Sequence, residues 1–252
     1  MAEELLIQMK NISKNFGFVK ALEDIDFDVY PNEILGLVGE NGAGKSTLIK
    51  ILVGVYPPDK GEMFLEGEKV NFSSPGDARK KGIEPIYQDL ALFEEMSIER
   101  NIFAGREPTK PVLGRLLRFI DKQKMRQESV SILEGLDIKL ESTKKLVKFL
   151  SGGQRQTVAI GRALCFQAKV LVMDEPTASL GINEANRILE LVKRLKEEEG
   201  ISVILISHNL PHVFSVADRF IVLRLGRVVG NKTKEETNIG EITALITGSE
   251  IS

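Results

Sequence analysis

Gly39-Glu40-Asn41-Gly42-Ala43-Gly44-Lys45-Ser46 sets two glycines at a fixed spacing before a Lys-Ser pair, with Thr47 following. Glycine tolerates positive φ and close backbone approach, so successive N–H groups can turn inward on an anion. Lys45 can then reach β- and γ-phosphates, and Ser46 offers a hydroxyl to Mg²⁺. The short apolar strand EILGLVG runs into this loop and the helical stretch KSTLIKILVGV runs out of it. That strand–loop–helix context is what the Walker A pattern requires, and the helix start adds its positive end to the site. Alone, the motif implies a nucleoside triphosphate and nothing narrower.

A second chemical cluster is VLVMDEPT, where an apolar strand ends in Asp174-Glu175. Ligands sit beyond the carboxyl ends of strands in open α/β sheets, and neighbouring strand residues face opposite ways. The two acids therefore take different tasks: Asp174 holds Mg²⁺ through a bound water, and Glu175 polarises an attacking water. ISVILISH brings His208 to the end of another apolar strand, where it can reach a γ-phosphate or serve structure alone. Gln88, after the short strand GIEPIY, is a metal contact, a turn residue or both. Phe16, in what reads as an N-terminal loop, either stacks on a base or packs. His212 reads as a surface residue.

FLSGGQRQTVAIGRAL supplies a second anion site. Ser151 is a natural N-cap, Gly152 and Gly153 leave the backbone bare, and Gln154 follows at the start of an amphipathic helix. One nucleotide needs only one cradle. The economical arrangement is that this site caps nucleotide held by another copy, the two copies lying head to tail.

These groups need a scaffold, and the rest of the chain reads as one. LLIQMKNI and ALEDIDFDVY alternate as strands, and GEMFLEGEKVNF looks like a hairpin. The helix after the glycine loop is expected to stop near Tyr56-Pro57-Pro58. Residues 89–149 read as a helical subdomain inserted into a core formed by 1–88 and 150–252. Strands alternating with helices argue for a mostly parallel sheet. The 252 residues carry 34 Lys and Arg against 36 Asp and Glu, without the basic surplus of a nucleic-acid binder. The acidic N-terminus and the short apolar runs argue against a signal peptide or a membrane span, so a soluble, cytoplasmic chain is expected. The single cysteine, Cys165, reads as a small buried side chain.

The chain resembles the nucleotide-binding subunit of ATP-binding cassette (ABC) transporters from about Leu5 to Gly248. Leu150-Ser151-Gly152-Gly153-Gln154 matches that family's LSGGQ signature in full, between the Walker A loop and VLVMDEPT. The resemblance implies the ABC ATPase fold: a P-loop NTPase core with a mostly parallel sheet, an N-terminal antiparallel β subdomain and an inserted helical subdomain. It further implies that Phe16 stacks on adenine and that Gln88 touches Mg²⁺ and senses the membrane partner. By the same resemblance Glu175 is the catalytic base and His208 the switch histidine. ATP and Mg²⁺ are the implied ligands. Membrane permease subunits and a second cassette copy are the implied partners, and attachment is to the cytoplasmic face of the membrane. One position departs: Gly181 stands where the family usually has Asp, which weakens the expectation of a cross-dimer contact there. GIEPIYQDLALFEEMSIERNIFAGRE and LISHNLPHVFSVADR look like bacterial monosaccharide importers of the ribose, xylose and fructose type, which also use an external sugar-binding protein. Many of those carry two cassettes in one chain, whereas this chain has one. The rival readings are a soluble cassette ATPase of translation or DNA repair, an ATP-holding regulator without turnover, and an exporter subunit. No second cassette or long coiled coil is visible to favour the first, and intact Glu175 and His208 speak against the second.

Overall fold

The computed structural model describes residues 4–112, 117–136 and 142–249. The chain opens with β1 (Ile7–Phe16) and β2 (Val19–Val29), followed by β3 (Ile34–Val38) and α1 (Lys45–Leu52). Next come β4 (Lys60–Leu65), β5 (Glu68–Val70), α2 (Pro75–Lys80) and β6 (Ile83–Ile86). A middle segment holds α3 (Ile98–Ile102), β7 (Thr109–Val112), β8 (Leu117–Ile120) and α4 (Lys122–Gly135). It leads into α5 (Gly152–Leu164), then β9 (Val170–Asp174), α6 (Ile182–Glu199) and β10 (Ser202–Ile206). The chain finishes with α7 (Leu210–Val216), β11 (Arg219–Arg224), β12 (Arg227–Thr233) and α8 (Ile239–Thr247).

The central sheet has the order β12-β11-β3-β10-β9-β6, parallel except for the β11–β12 hairpin at its edge. β3 and β10 are buried along their whole length, as expected of parallel strands covered on both faces. Their side chains alternate between two cores. Leu35, Leu37, Ile204 and Ile206 join α1 and the antiparallel sheet β2-β1-β4-β5 in the first core. Ile34, Val38, Val203 and Leu205 join residues of α5 to α8 in the second. Each such aliphatic side chain contributes roughly 1.5–3 kcal/mol on burial.

A third, smaller core unites Ile98, Ile102 and Phe103 with Met125 and Leu133 of α4 and Val158 of α5. It lies mainly within the segment read from sequence as helical, but that segment is not helical throughout. β7 and β8 form an antiparallel ribbon, Thr109 facing Ile120 and Val112 facing Leu117. Pro111 cannot sit inside a helix and is tolerated in such an isolated edge. Two further corrections concern helix ends. α1 stops at Leu52, well before the two prolines, because Gly54 turns the chain at φ +75°. An added Cβ there would strike Phe72 and the Ser74 carbonyl. Cys165 caps the end of α5 and is only partly buried; desolvation pushes its thiol up to about 11.

The amino-terminal edge of the sheet is closed by polar groups. Arg219, at the start of β11, donates to both carboxylate oxygens of Glu33, at 2.8 and 3.2 Å, and both side chains are buried. The same guanidinium donates to the Asp28 carbonyl and to Asn231, and it lies over the Tyr30 ring. Asp218 accepts the Ile34 N–H and the Lys196 ammonium, and the Ser202 hydroxyl bridges Asn32 N–H and the Tyr30 carbonyl.

Candidate functional site

The strand order decides what meets at the opposite edge. β3, β10, β9 and β6 are consecutive neighbours running the same way, so the residues that follow them emerge side by side. These are the glycine loop after Val38, Ser207-His208 after Ile206, Glu175 after Asp174, and Gln88 two residues beyond Ile86.

In the loop, Gly39, Gly42 and Gly44 all have positive φ. At Gly39 a Cβ would overlap the Leu223 carbonyl oxygen, and at Gly44 it would meet the Ala21 carbonyl and the Leu22 side chain. The loop is thus seated against β11 and β2 as closely as backbones allow. Gly42 has open space where a Cβ would stand, on the side away from the protein. Lys45, the first residue of α1, arches back to donate to the Gly39 carbonyl at 2.7 Å and the Glu40 carbonyl at 2.9 Å. Burial lowers its pKa, while Glu175 and Asp174 act the other way; the ammonium therefore lies within electrostatic reach of both acids. Asn41, Ser46 and Thr47 line the same turn, with Ser46 exposed and Ala43 buried beneath it. The Gly226 N–H donates to the Ala43 carbonyl and pins the loop from below.

Asp174 is the last residue of β9 and half-buried. Burial raises its pKa first, and the neighbouring Glu175 charge adds to this. Glu175 does not continue the strand. It takes φ +52°, a conformation that costs a non-glycine residue about 1–3 kcal/mol, and so leaves the strand in a different direction from Asp174. Three donors hold its carboxylate. The Ser207 hydroxyl reaches Oε2 at 2.8 Å, the His208 N–H reaches Oε1 at 2.8 Å, and His208 Nδ1 lies 2.8 Å from Oε1. Most of the His208 ring remains open to solvent (74 % exposed), so its other nitrogen is available to a ligand. The Ser46 hydroxyl, the Asp174 carboxylate and the Gln88 side-chain carbonyl would offer oxygen donors, the kind a hard cation takes. Gln88 is exposed in the bend after β6.

Phe16 is not in a loop. It ends β1, opposite Val19 across the Gly17-Phe18 turn, and it meets Tyr56 edge-to-face at 5.3 Å. Because β2 packs against Gly44 a few residues later, this half-exposed ring stands on the flank of the glycine loop. His212 is not a free surface residue either. Its Nδ1 lies 3.1 Å from the Thr177 hydroxyl, behind the turn that carries Glu175.

Ser151 caps α5 with a complete capping box: its hydroxyl accepts the Gln154 N–H while the Gln154 side chain accepts the Ser151 N–H. Gly152 faces Leu180 and Gly153 faces Glu184, at the start of α6. Among the described residues no hydrogen bond joins this turn to the glycine loop of the same chain. Gly181 is the N-cap of α6 with ordinary extended backbone, and a Cβ there would meet nothing. Sequence reasoning missed Ser207, whose position directly before the strand-end histidine was the only signal, and Tyr56, which it read only as a helix stop.

A family model described as ABC transporter matches residues 22–178, more than half of the chain. The xylose/arabinose import ATP-binding protein of Sulfolobus acidocaldarius is 47% identical over 242 residues, covering 96% of this chain and 94% of that protein. The fructose import ATP-binding protein of Rhizobium meliloti is 44% identical, covering 99% and 96%. The ribose import ATP-binding protein of Caldanaerobacter subterraneus is also 44% identical, but the chain spans about half (49%) of its length. Among solved structures, a nucleotide-free ATP-binding cassette from an ABC transporter superposes with a TM-score of 0.82 at 30% identity, covering 96% of this chain and 95% of the other. The ADP conformation of another such cassette gives 0.81 at 29% identity, again with 96% and 95% covered.

Proposed function

The chain belongs to the ABC transporter family, and on that premise we propose that it is the ATP-binding subunit of a monosaccharide importer, hydrolysing ATP to ADP and phosphate to drive a separate permease. The observation that carries the catalytic part is the Glu175 carboxylate. It is held by Ser207 and His208 and aimed at the edge where the glycine loop presents Lys45. In this reading the loop N–H groups from Gly39 to Thr47 cradle the phosphates, Lys45 leaves its two carbonyl partners for the β- and γ-oxygens, and Phe16 stacks on the base. Ser46, Asp174 and Gln88 would hold Mg²⁺, which when bound offsets charge on the transferring phosphate. Glu175 takes the proton of a water whose oxygen attacks the γ-phosphorus, the bond to the β–γ bridging oxygen breaks, and His208 steadies the departing phosphate.

Ser151, Gly152, Gly153 and Gln154 serve the nucleotide of a second copy in a head-to-tail pair. Residues 89–149 form the unit that, with Gln88, meets the permease. The chain then works peripherally at the cytoplasmic face of the membrane, with an extracytoplasmic sugar-binding protein as an indirect partner and no role for nucleic acid. Among the described residues no helix is long and apolar enough to cross a membrane. Sugar import is supported by the three relatives, all of them sugar import ATP-binding proteins, and they favour it over export or a soluble role. The test is to tag the Glu175→Gln protein, add Mg·ATP, solubilise native membranes gently and identify what is captured. A multi-span permease with a sugar-binding protein is expected; ribosomes or DNA in their place would refute the reading.

A further inference from the structure

Arg155 and Arg162 stand two turns apart on α5 and share one helix face. Both grip the chain that follows Gln88. Arg162 donates to two consecutive carbonyls, Leu90 at 2.8 Å and Ala91 at 2.9 Å. Arg155 donates to the Glu94 carboxylate at 2.7 Å, and also to the carbonyls of Lys148 and Leu150 just before the Ser151 cap. The same stretch is fastened from elsewhere in the helical region. Asn101, fully buried in α3, accepts the Phe93 N–H and donates to the carbonyls of Phe93, Met96 and Ser97. Main-chain bonds run from Val147 to Met96 and from Lys148 to Glu94. Among the described hydrogen bonds none ties Gln88 or Asp89 to the sheet, and Ala91 sits at φ +46°. The stretch Leu90–Ser97 is therefore hydrogen-bonded chiefly to the α3–α5 body, while Leu90 and Leu92 also pack against the second core and Gln88-Asp89 link the stretch to β6.

We infer that Arg155 and Arg162 are positioning residues that lock Leu90–Ser97 to the Ser151–Gln154 turn, so that a push on the first by the membrane partner displaces the second as one piece. The inference rests on the function proposed above. Arginine is the residue such a link needs, because its planar fork addresses two fixed carbonyls at once and lysine presents a single point donor.

Two measurements test it. Arg162→Lys is expected to raise amide hydrogen exchange together at 90–97 and at 151–154, while the isolated protein binds a fluorescent ATP analogue with unchanged affinity. Faster exchange at 90–97 with 151–154 as protected as before would overturn the coupling. In a Glu175→Gln background, Glu94→Ala is expected to weaken Mg·ATP-dependent self-association about tenfold, and the double variant with Arg155→Ala is expected to be no weaker than Arg155→Ala alone. Multiplying effects, or no effect of Glu94→Ala, would also overturn it. Absence of any Mg·ATP-dependent self-association in the Glu175→Gln parent would instead refute the head-to-tail reading, and the exchange measurement would still decide the coupling.

Discussion

The same five parallel strands end in opposite chemistries. At their carboxyl ends the backbone turns left-handed at Gly39, Gly42, Gly44 and Glu175, and Asp174 and Glu175 stand adjacent with Lys45 nearby. At their amino ends Arg219 and Glu33 neutralise each other out of water, and Asp218, Lys196 and Ser202 tie off the remaining backbone groups. At the first edge Lys45 and Asp174 are partly desolvated and Glu175 is held at positive φ, whereas at the second the buried charges are paired. A strained edge persists only when its surroundings over-determine it. The amino edge and the two cores supply that rigidity.

If this division of labour holds, substitutions at the two edges should separate activity from stability. The largest effect is expected at Glu175→Gln: turnover should fall by about 10²–10⁴, the usual contribution of a positioned base, with nucleotide binding and the unfolding midpoint nearly unchanged. Phosphate release at the parent rate would remove Glu175 from the mechanism. Next is Arg219→Met, which strands Glu33 in the interior and should cost about 3–5 kcal/mol in urea unfolding while leaving nucleotide affinity alone. Adding Glu33→Gln should recover much of that loss. A stability change within about 0.5 kcal/mol would show that the pair does not hold the edge. Lys45→Ala should weaken nucleotide binding roughly 10- to 100-fold, the worth of a charge-assisted contact to phosphate, as read by fluorescent-nucleotide titration. Gly181→Asp is the mildest. Its extended N-cap backbone accepts Asp without strain, so it should stabilise α6 by a few tenths of a kcal/mol in thermal unfolding; destabilisation would mean that glycine is required at that turn.

The reactive edge was more legible than the structural one. Gly39–Ser46, Ser151–Gln154 and Asp174-Glu175 are short local patterns whose chemistry is encoded in consecutive residues. The strands carrying the first and the last announce themselves as short apolar runs. The Glu33–Arg219 pair brings together residues 186 positions apart, and no local pattern marks either partner. The two arginines of α5 escaped for the same reason: their partners lie 61 to 72 positions away. The β7–β8 ribbon was missed because the helical spacing of SIERNIFA and DKQKMRQESVSILEGL was extended over the residues between them. Phe16 was placed in a loop because the first strand was read only as far as LLIQMKNI, ending at Ile12, whereas β1 runs on to Phe16.

The order of the central sheet bears on how the protein is made. β3, which carries the glycine loop, finds both of its neighbours, β10 and β11, near the other end of the chain; Asn32 bonds Ser202 across 170 positions and Ile34 bonds Asp218 across 184. At roughly 5–20 residues per second of synthesis, the strand below the phosphate loop waits about ten seconds or more before its partners exist. A nascent or truncated chain ending before β10 lacks Ser207 and His208 as well as the strands that seat the loop. Such fragments should be unable to hydrolyse nucleotide, and the exposed apolar edges of β3 would make them substrates for chaperones until Arg224 has emerged.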